Sequence, residues 1–301
     1  IKLLEEKGDA AKVLAGGTDL LVQLRGDRYE IDRLVDVKNV SELTQITFSV
    51  KDGLSLGASV PCYQVYSNEA ISRAYPGLID AAALVGGIQI QGRASIGGNL
   101  CNAAPSGDTI PALIVHGAVC DISGPGGSRS LPVETFCTAP GKSILQPGEL
   151  LVSLRLPPPE KQFGSSYLRF IPRNEMDIAV VGVGASVVLD SSKKKIISSR
   201  IALASVAPTP LFIQSAEEAL KGQEISDDAI AEAAKIAMDR WVKLGVAIMT
   251  ASISGSSTIS STSRAPFATP HCSWRTATSW VSLSQTATTL ALGSNPIPGT
   301  W

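Results

Sequence analysis

Two short segments with paired glycines, Ala15-Gly16-Gly17-Thr18-Asp19 and Ser95-Ile96-Gly97-Gly98-Asn99, constrain this chain more than any other feature. The first follows a short strand-like run, Ala11-Lys12-Val13-Leu14, and leads into a helical run, Leu20-Leu21-Val22-Gln23-Leu24-Arg25. Consecutive glycines let the backbone aim several N–H groups at one anion, and a helix starting there adds the positive end of its dipole. Each segment therefore reads as a phosphate cradle, although either one alone is more often a plain tight turn. Two cradles about 80 residues apart suit a diphosphate gripped from both sides, as in a dinucleotide cofactor. Neither segment has the G-x-G-x-x-G of a Rossmann unit or the GK[ST] ending of a P-loop, so those nucleotide folds lose ground.

The remaining composition excludes several function classes. Lys and Arg total 26 against 27 Asp and Glu, and a net charge of -1 argues against a nucleic-acid or anionic-membrane partner. The longest apolar run, Ile178 to Leu189, has 12 residues, short of the roughly 20 that span a bilayer, and reads as a buried strand. The five cysteines, Cys62, Cys101, Cys120, Cys137 and Cys272, are scattered without a CxxC pair and read as reduced thiols. With His116 and His271 as its only histidines, the chain lacks a histidine-rich metal site or a Ser-His-Asp triad, and His116 reads as a packed imidazole. No metal ligand set and no catalytic residue is expected, and the chemistry is imported. No basic-then-apolar leader opens the sequence as given, although Ile1 is not an initiator Met, and a cytoplasmic location is expected.

Patterning divides the chain into an α+β array. Residues 1–8 read as a helix ended by Gly8, 33–37 as a second strand, and 46–58 as a hairpin around Lys51-Asp52-Gly53. Helical pattern marks 64–74 and 77–85, and antiparallel strands are expected over 117–157. A linker is expected near 158–164, followed by three strands at 165–171, 179–189 and 196–205 with Lys193-Lys194-Lys195 in a solvated turn. Helices at 215–221 and 226–240 close this lobe, the second capped by Ser226. Composition then changes: Asp239 is the last acidic residue, all four tryptophans lie at or beyond Trp241, and Ser and Thr become frequent. Residues 241–301 are read as an anomalous tail without periodicity, foreign to the rest of the gene.

Four segments in register carry a resemblance: VLAGGTDLLVQLR at 13–25, RASIGGNLCNAAPSGDTIPAL at 93–113, PGELLVSLRLP at 147–157 and MDIAVVGVGA at 176–185. Over roughly residues 1–240 the chain resembles the FAD-binding medium subunits of the molybdenum hydroxylases, the group that holds xanthine and carbon monoxide dehydrogenases. The resemblance implies a vanillyl-alcohol-oxidase-like (PCMH-type) FAD-binding domain over 1–158, made of two α/β subdomains (about 1–40 and 41–158). A C-terminal α+β lobe at 159–240 would hold a three-stranded antiparallel sheet and helices.

It also implies site roles. Val13 and Leu14 would line the cofactor, Ala15, Gly16, Gly17, Thr18 and Asp19, with Leu20 behind them, would grip the pyrophosphate, and Ser95, Ile96, Gly97, Gly98 and Asn99 would grip its other side. A side chain at position 97 is expected to stand in the phosphate's way. Cys101 and Asn102 share the loop that holds Asp108. Asp108 would contact the FAD or cap the next helix, Ile144 and Leu145 would pack near the isoalloxazine, and Arg169 would place a cation by the flavin or lie at a strand edge in solvent. Val85 stands where some relatives carry an aromatic over the ring.

The implied activity is electron transfer within a heterotrimer or its dimer. A large subunit with the molybdenum cofactor oxidises substrate, a [2Fe-2S] small subunit relays electrons, and FAD on this chain passes them to NAD, quinone or oxygen. Alternatives are a self-sufficient flavin-dependent oxidoreductase of the same fold and a non-redox nucleotide-binding module.

Overall fold

The computed structural model describes residues 1–173 and 176–254. Helix α1 (Lys2–Lys7) ends at Gly8, whose φ of 51° reverses the chain into strand β1 (Ala11–Leu14). The loop 15–19 leads to helix α2 (Leu20–Arg25) and strand β2 (Arg33–Asp36), which pairs in parallel with β1, Val13 opposite Val35. Parallel strands need a crossover, and α2 provides it, leaving the first glycine segment at the carboxyl end of β1.

Helix α3 (Ser41–Thr44) precedes the hairpin β3 (Ile46–Ser49) and β4 (Gly53–Gly57). Six short helices follow: α4 (Cys62–Tyr66), α5 (Glu69–Ala74), α6 (Pro76–Ala82), α7 (Ile88–Gln91), α8 (Ile96–Asn102) and α9 (Thr109–Val115). Strands β5 (Val119–Gly124), β6 (Gly127–Pro132) and β9 (Leu150–Leu156) join the hairpin in an antiparallel sheet of order β3-β4-β9-β5-β6, while β7 (Cys137–Ala139) and β8 (Lys142–Ser143) make a small hairpin of their own. Leu54, Leu56, Leu154 and Ile122 on the sheet pack against Leu78, Ile96, Leu100, Ile110 and Leu113 on the helices. That burial removes helix and sheet faces from water together, at roughly 25 cal/mol per Å² of apolar surface.

The second lobe contains β10 (Phe163–Phe170), β11 (Val181–Leu189), β12 (Ile196–Ala204), β13 (Leu211–Phe212), α10 (Gln214–Leu220) and α11 (Asp227–Ser254). Its antiparallel sheet has four strands in the order β10-β11-β12-β13, which corrects the expected three. The fourth has only two residues, after Pro208 and Pro210, and its alternation is too short to read from sequence. All nine residues of β11 are buried: α9 of the first lobe packs on the strand, and Val181, Val183 and Leu189 share an apolar cluster with Ala216 and Leu220 of α10 and Ala233 and Ala237 of α11. The expected strand start at residue 179 moves to Val181, with Ile178 exposed. Helix α11 runs on to Ser254, past its expected end at residue 240 and past the compositional break; the tail beyond Ser254 lies outside the described residues.

Buried polar contacts join the lobes. His116, at the end of α9, donates from Nδ1 to the Ala112 carbonyl at 2.7 Å, and its Nε2 accepts from the Ser165 hydroxyl of β10 at 2.9 Å. Ser165 accepts in turn from the Gly77 N–H at 3.0 Å. A neutral imidazole satisfies every group in this chain, and burial pushes its pKa down to about 4. Nearby, the Asp80 carboxylate accepts from the Ser166 hydroxyl at 3.0 Å and the Tyr167 N–H at 3.1 Å.

Between pH 6.5 and about 4 the unfolded chain binds a proton at residue 116 that the folded one does not, so stability falls on acidification. The slope from this group is at most about 1.4 kcal/mol per pH unit. Thermal unfolding from pH 7 to 4.5 is expected to be steeper in the parent than in His116→Gln, which keeps a donor and an acceptor but does not titrate. Equal slopes would remove His116 from the account.

Candidate functional site

Both glycine segments open onto one cavity of about 610 Å³. Val13, Ala15, Gly16, Gly17, Thr18, Asp19 and Leu20 line it from the β1–α2 side, and Ser95, Gly97, Gly98, Asn99, Cys101 and Asn102 line it from α8. Val85, Leu145 and the 146–151 segment complete the wall.

What brings these stretches together is backbone contact. A β-carbon on residue 16 would lie 2.0 Å from the Arg93 carbonyl oxygen, so only glycine lets the first loop reach the chain just ahead of α8. Gly17 has φ 78°, the left-handed region that favours glycine. The main-chain N–H groups of Gly16, Gly17, Thr18 and Asp19 have no acceptor among the described residues. Buried or half-buried N–H groups without partners are rare in folded proteins, and an anionic ligand or water must satisfy these.

The second segment is not the glycine turn expected from sequence. It is the first turn of α8, with Ser95 as its N-cap accepting from the Gly98 N–H at 3.0 Å. Gly97 serves packing: a β-carbon there would meet the Ala58 carbonyl at 2.4 Å. A valine there strikes the protein backbone, which corrects the expectation that it would block phosphate.

Other expected residues sit elsewhere. Ile96 is fully buried in the core, and Leu14 faces the turn, its Cδ1 2.9 Å from where a residue-17 β-carbon would stand. Ile144 packs on the core and its carbonyl accepts from Arg129 at 3.1 Å. Asp108 holds the N-cap position of α9 but makes no side-chain cap bond. Its carboxylate instead accepts from the Tyr167 hydroxyl at 2.8 Å and from Arg169 at 3.0 Å, both on β10. Burial pushes the Asp108 carboxyl up, against the pull of Arg169. Arg169 is only 7% exposed, so it is not the solvent-edge arginine considered above. Neither residue lines the cavity. They lie one layer behind it: Thr109, next to Asp108, donates its hydroxyl at 2.7 Å to Asn99 Oδ1, and Asn99 does line it.

Sequence reasoning missed Lys12, Arg28, Tyr29, Gly141 and Gln146, all on the lining. Lys12 directly precedes the recognised motif; Tyr29 lies in a polar loop with no pattern to mark it. Lys12 and Arg28 have no ion-pair partner among the described residues. Glu149, by contrast, is gripped by Arg129 through two bonds of 2.7 Å, which hold its carboxyl below the usual range.

A β–α–β loop of unpaired N–H groups that shares one cavity with a helix start is an arrangement able to accept an anionic group such as a diphosphate. Comparison with known proteins specifies which. Residues 1–159 match the family described as "FAD binding domain in molybdopterin dehydrogenase", and 166–247 match "CO dehydrogenase flavoprotein C-terminal domain". The xanthine dehydrogenase FAD-binding subunit of Escherichia coli O157:H7 is 37% identical over 211 residues, 69% of this chain and 71% of that protein. The carbon monoxide dehydrogenase medium chain of Afipia carboxidovorans is 29% identical over 238 residues, covering 79% and 81%. Among solved structures, carbon monoxide dehydrogenase from Hydrogenophaga pseudoflava aligns with a TM-score of 0.80 at 25% identity, covering 96% of this chain and 92% of that one. The chain belongs to the FAD-binding subunits of the molybdenum hydroxylases, and its cofactor is FAD.

Gly16→Ala should therefore cost about 1–3 kcal/mol of stability, since the overlap with a backbone oxygen is not relieved by a rotamer, and should lower the FAD-to-protein ratio. Gly126→Ala, with nothing within 4 Å of the added carbon, should change neither. Thermal unfolding and flavin absorbance read both, and an unaltered Gly16→Ala protein would contradict the packing argument.

Proposed function

We propose that this chain is the electron-transfer subunit of a molybdenum hydroxylase. It would associate, in a heterotrimer or its dimer, with a large subunit carrying the molybdenum cofactor and a [2Fe-2S] small subunit, and its location would be the cytoplasm. Among the described residues no helix is long and apolar enough to cross a membrane. The bound FAD supplies the redox chemistry, receiving electrons from the small subunit and releasing them to NAD, a quinone or oxygen.

The chain's own residues bind and orient. The N–H groups of residues 16–19 and the Thr18 hydroxyl would hold one side of the pyrophosphate, and the first turn of α8 the other, the Gly97 N–H being left unpaired by helix geometry. Val13, Val85 and Leu145 would shield the cofactor from water, with Cys101 and Asn102 beside them. Asp108 and Arg169 would act as a charge-paired support behind Asn99. Residues 1–158 would form the cofactor domain, with subdomains near 1–40 and 41–158, and 159–240 the second lobe.

The observation that carries this reading is the single cavity shared by two glycine segments far apart in the chain, one of them with four consecutive unpaired N–H groups. The purified chain is expected to be yellow, to release FAD on denaturation, and to oxidise no hydroxylase substrate until the two partner subunits are added. Substrate turnover by the chain alone would favour a self-sufficient flavoenzyme. A colourless chain that takes up no added flavin would refute the assignment.

A further inference from the structure

Tyr29 is the single aromatic side chain among the described residues that line the cavity, and it is 42% exposed. The Lys12 ammonium stands over its ring, 5.0 Å from the centroid. Lys12 is on β1 and Tyr29 on the loop between α2 and β2, so both belong to the β–α–β unit that presents the unpaired N–H groups. Elsewhere on the lining, Val85, Cys101, Gly141 and Leu145 are aliphatic or small and offer no aromatic face. A dinucleotide held at its diphosphate sends one flat ring to either side. The ring on the β1–β2 side then meets an aromatic face with a cation fixed against it.

Resting on the FAD reading above, we propose that Tyr29, positioned by Lys12, is the adenine platform of the site and the feature that makes this chain select FAD over FMN. Every base has a π face, and stacking on one aromatic side chain changes affinity about tenfold or more. The cation–π contact restricts the ring without occupying a hydrogen-bonding edge of the base. Because Tyr29 is partly exposed, its replacement does not open the core.

The test uses the full-length chain stripped of flavin, titrated with FAD, FMN and ADP. Tyr29→Leu is expected to weaken FAD and ADP roughly tenfold and leave FMN within about twofold. Tyr29→Phe should bind FAD as the parent does. Lys12→Met should weaken FAD by a smaller factor, and Lys12→Arg should restore it, which a purely structural role for the charge would not require. Equal weakening of FAD and FMN would place the flavin ring, not adenine, on Tyr29 and overturn the proposal; so would unchanged FAD affinity in Tyr29→Leu. Parent protein that binds neither flavin removes the FAD reading itself and this inference with it, whereas a parent that binds FAD indifferently to residue 29 removes the inference alone.

Discussion

Residue 16 must lack a side chain because the Arg93 carbonyl occupies the position where one would begin. This contact brings main chain to main chain with no side chain between, and it places the β1–α2 loop against the start of α8 across a large gap in sequence. A methyl group at that point would separate the two walls of the cavity. Gly97 repeats the device in the first turn of α8, where the Ala58 carbonyl lies in the path of any β-carbon. Two glycines thus set the width of the cavity, and Gly17, at φ 78°, sets the direction in which the first loop leaves it.

Behind the cavity, α9 ties the lobes together. Its buried face packs on α6 and α8 of the first lobe, and the same helix covers β11 and β12 of the second. Gly184 of β11 comes so near Pro111 that a β-carbon would sit 2.9 Å from its backbone, and the Ser186 hydroxyl donates to the Val115 carbonyl at 2.8 Å. Around this packing lie charged and polar pairs that cross between lobes: Asp108 with Tyr167 and Arg169, Asp80 with Ser166 and Tyr167, His116 with Ser165. Buried groups of this kind add little net stability when paired and cost several kcal/mol when one partner is lost, so they fix how the lobes meet more than how strongly they adhere.

Periodicity made most of this architecture legible. The β1–α2–β2 unit, the 46–58 hairpin, the antiparallel strands over 117–157 and the long strands of the second lobe all show in alternation and turn residues. The two-residue β13 did not, because two residues carry no period. The second glycine segment was misread for a different reason. Glycines that permit a left-handed turn and glycines that permit close helix packing look alike in sequence, and only the Ala58 carbonyl distinguishes them. Asp108 and Arg169 were readable as charged groups near the site but not as partners of each other, since 61 residues separate them. Tyr29 carried no local signal; its place on the lining follows from where β1 and α2 put the loop.

On the proposed reading, the charge on the lining leaves binding to main-chain geometry. Glu149 is neutralised by Arg129, which leaves Lys12 and Arg28 against Asp9 and Asp19, all four without ion-pair partners among the described residues. The formal charges of these four side chains therefore sum to zero. On the proposed reading, attraction would come from N–H dipoles that do not titrate, together with the helix starts behind them. Dipoles act over a few ångströms and are little screened when partly enclosed, whereas a field from surface lysines would fade within a Debye length of about 8 Å at physiological salt. A site built this way would hold its anion by shape, and the glycines that permit the shape would be the residues it could not exchange.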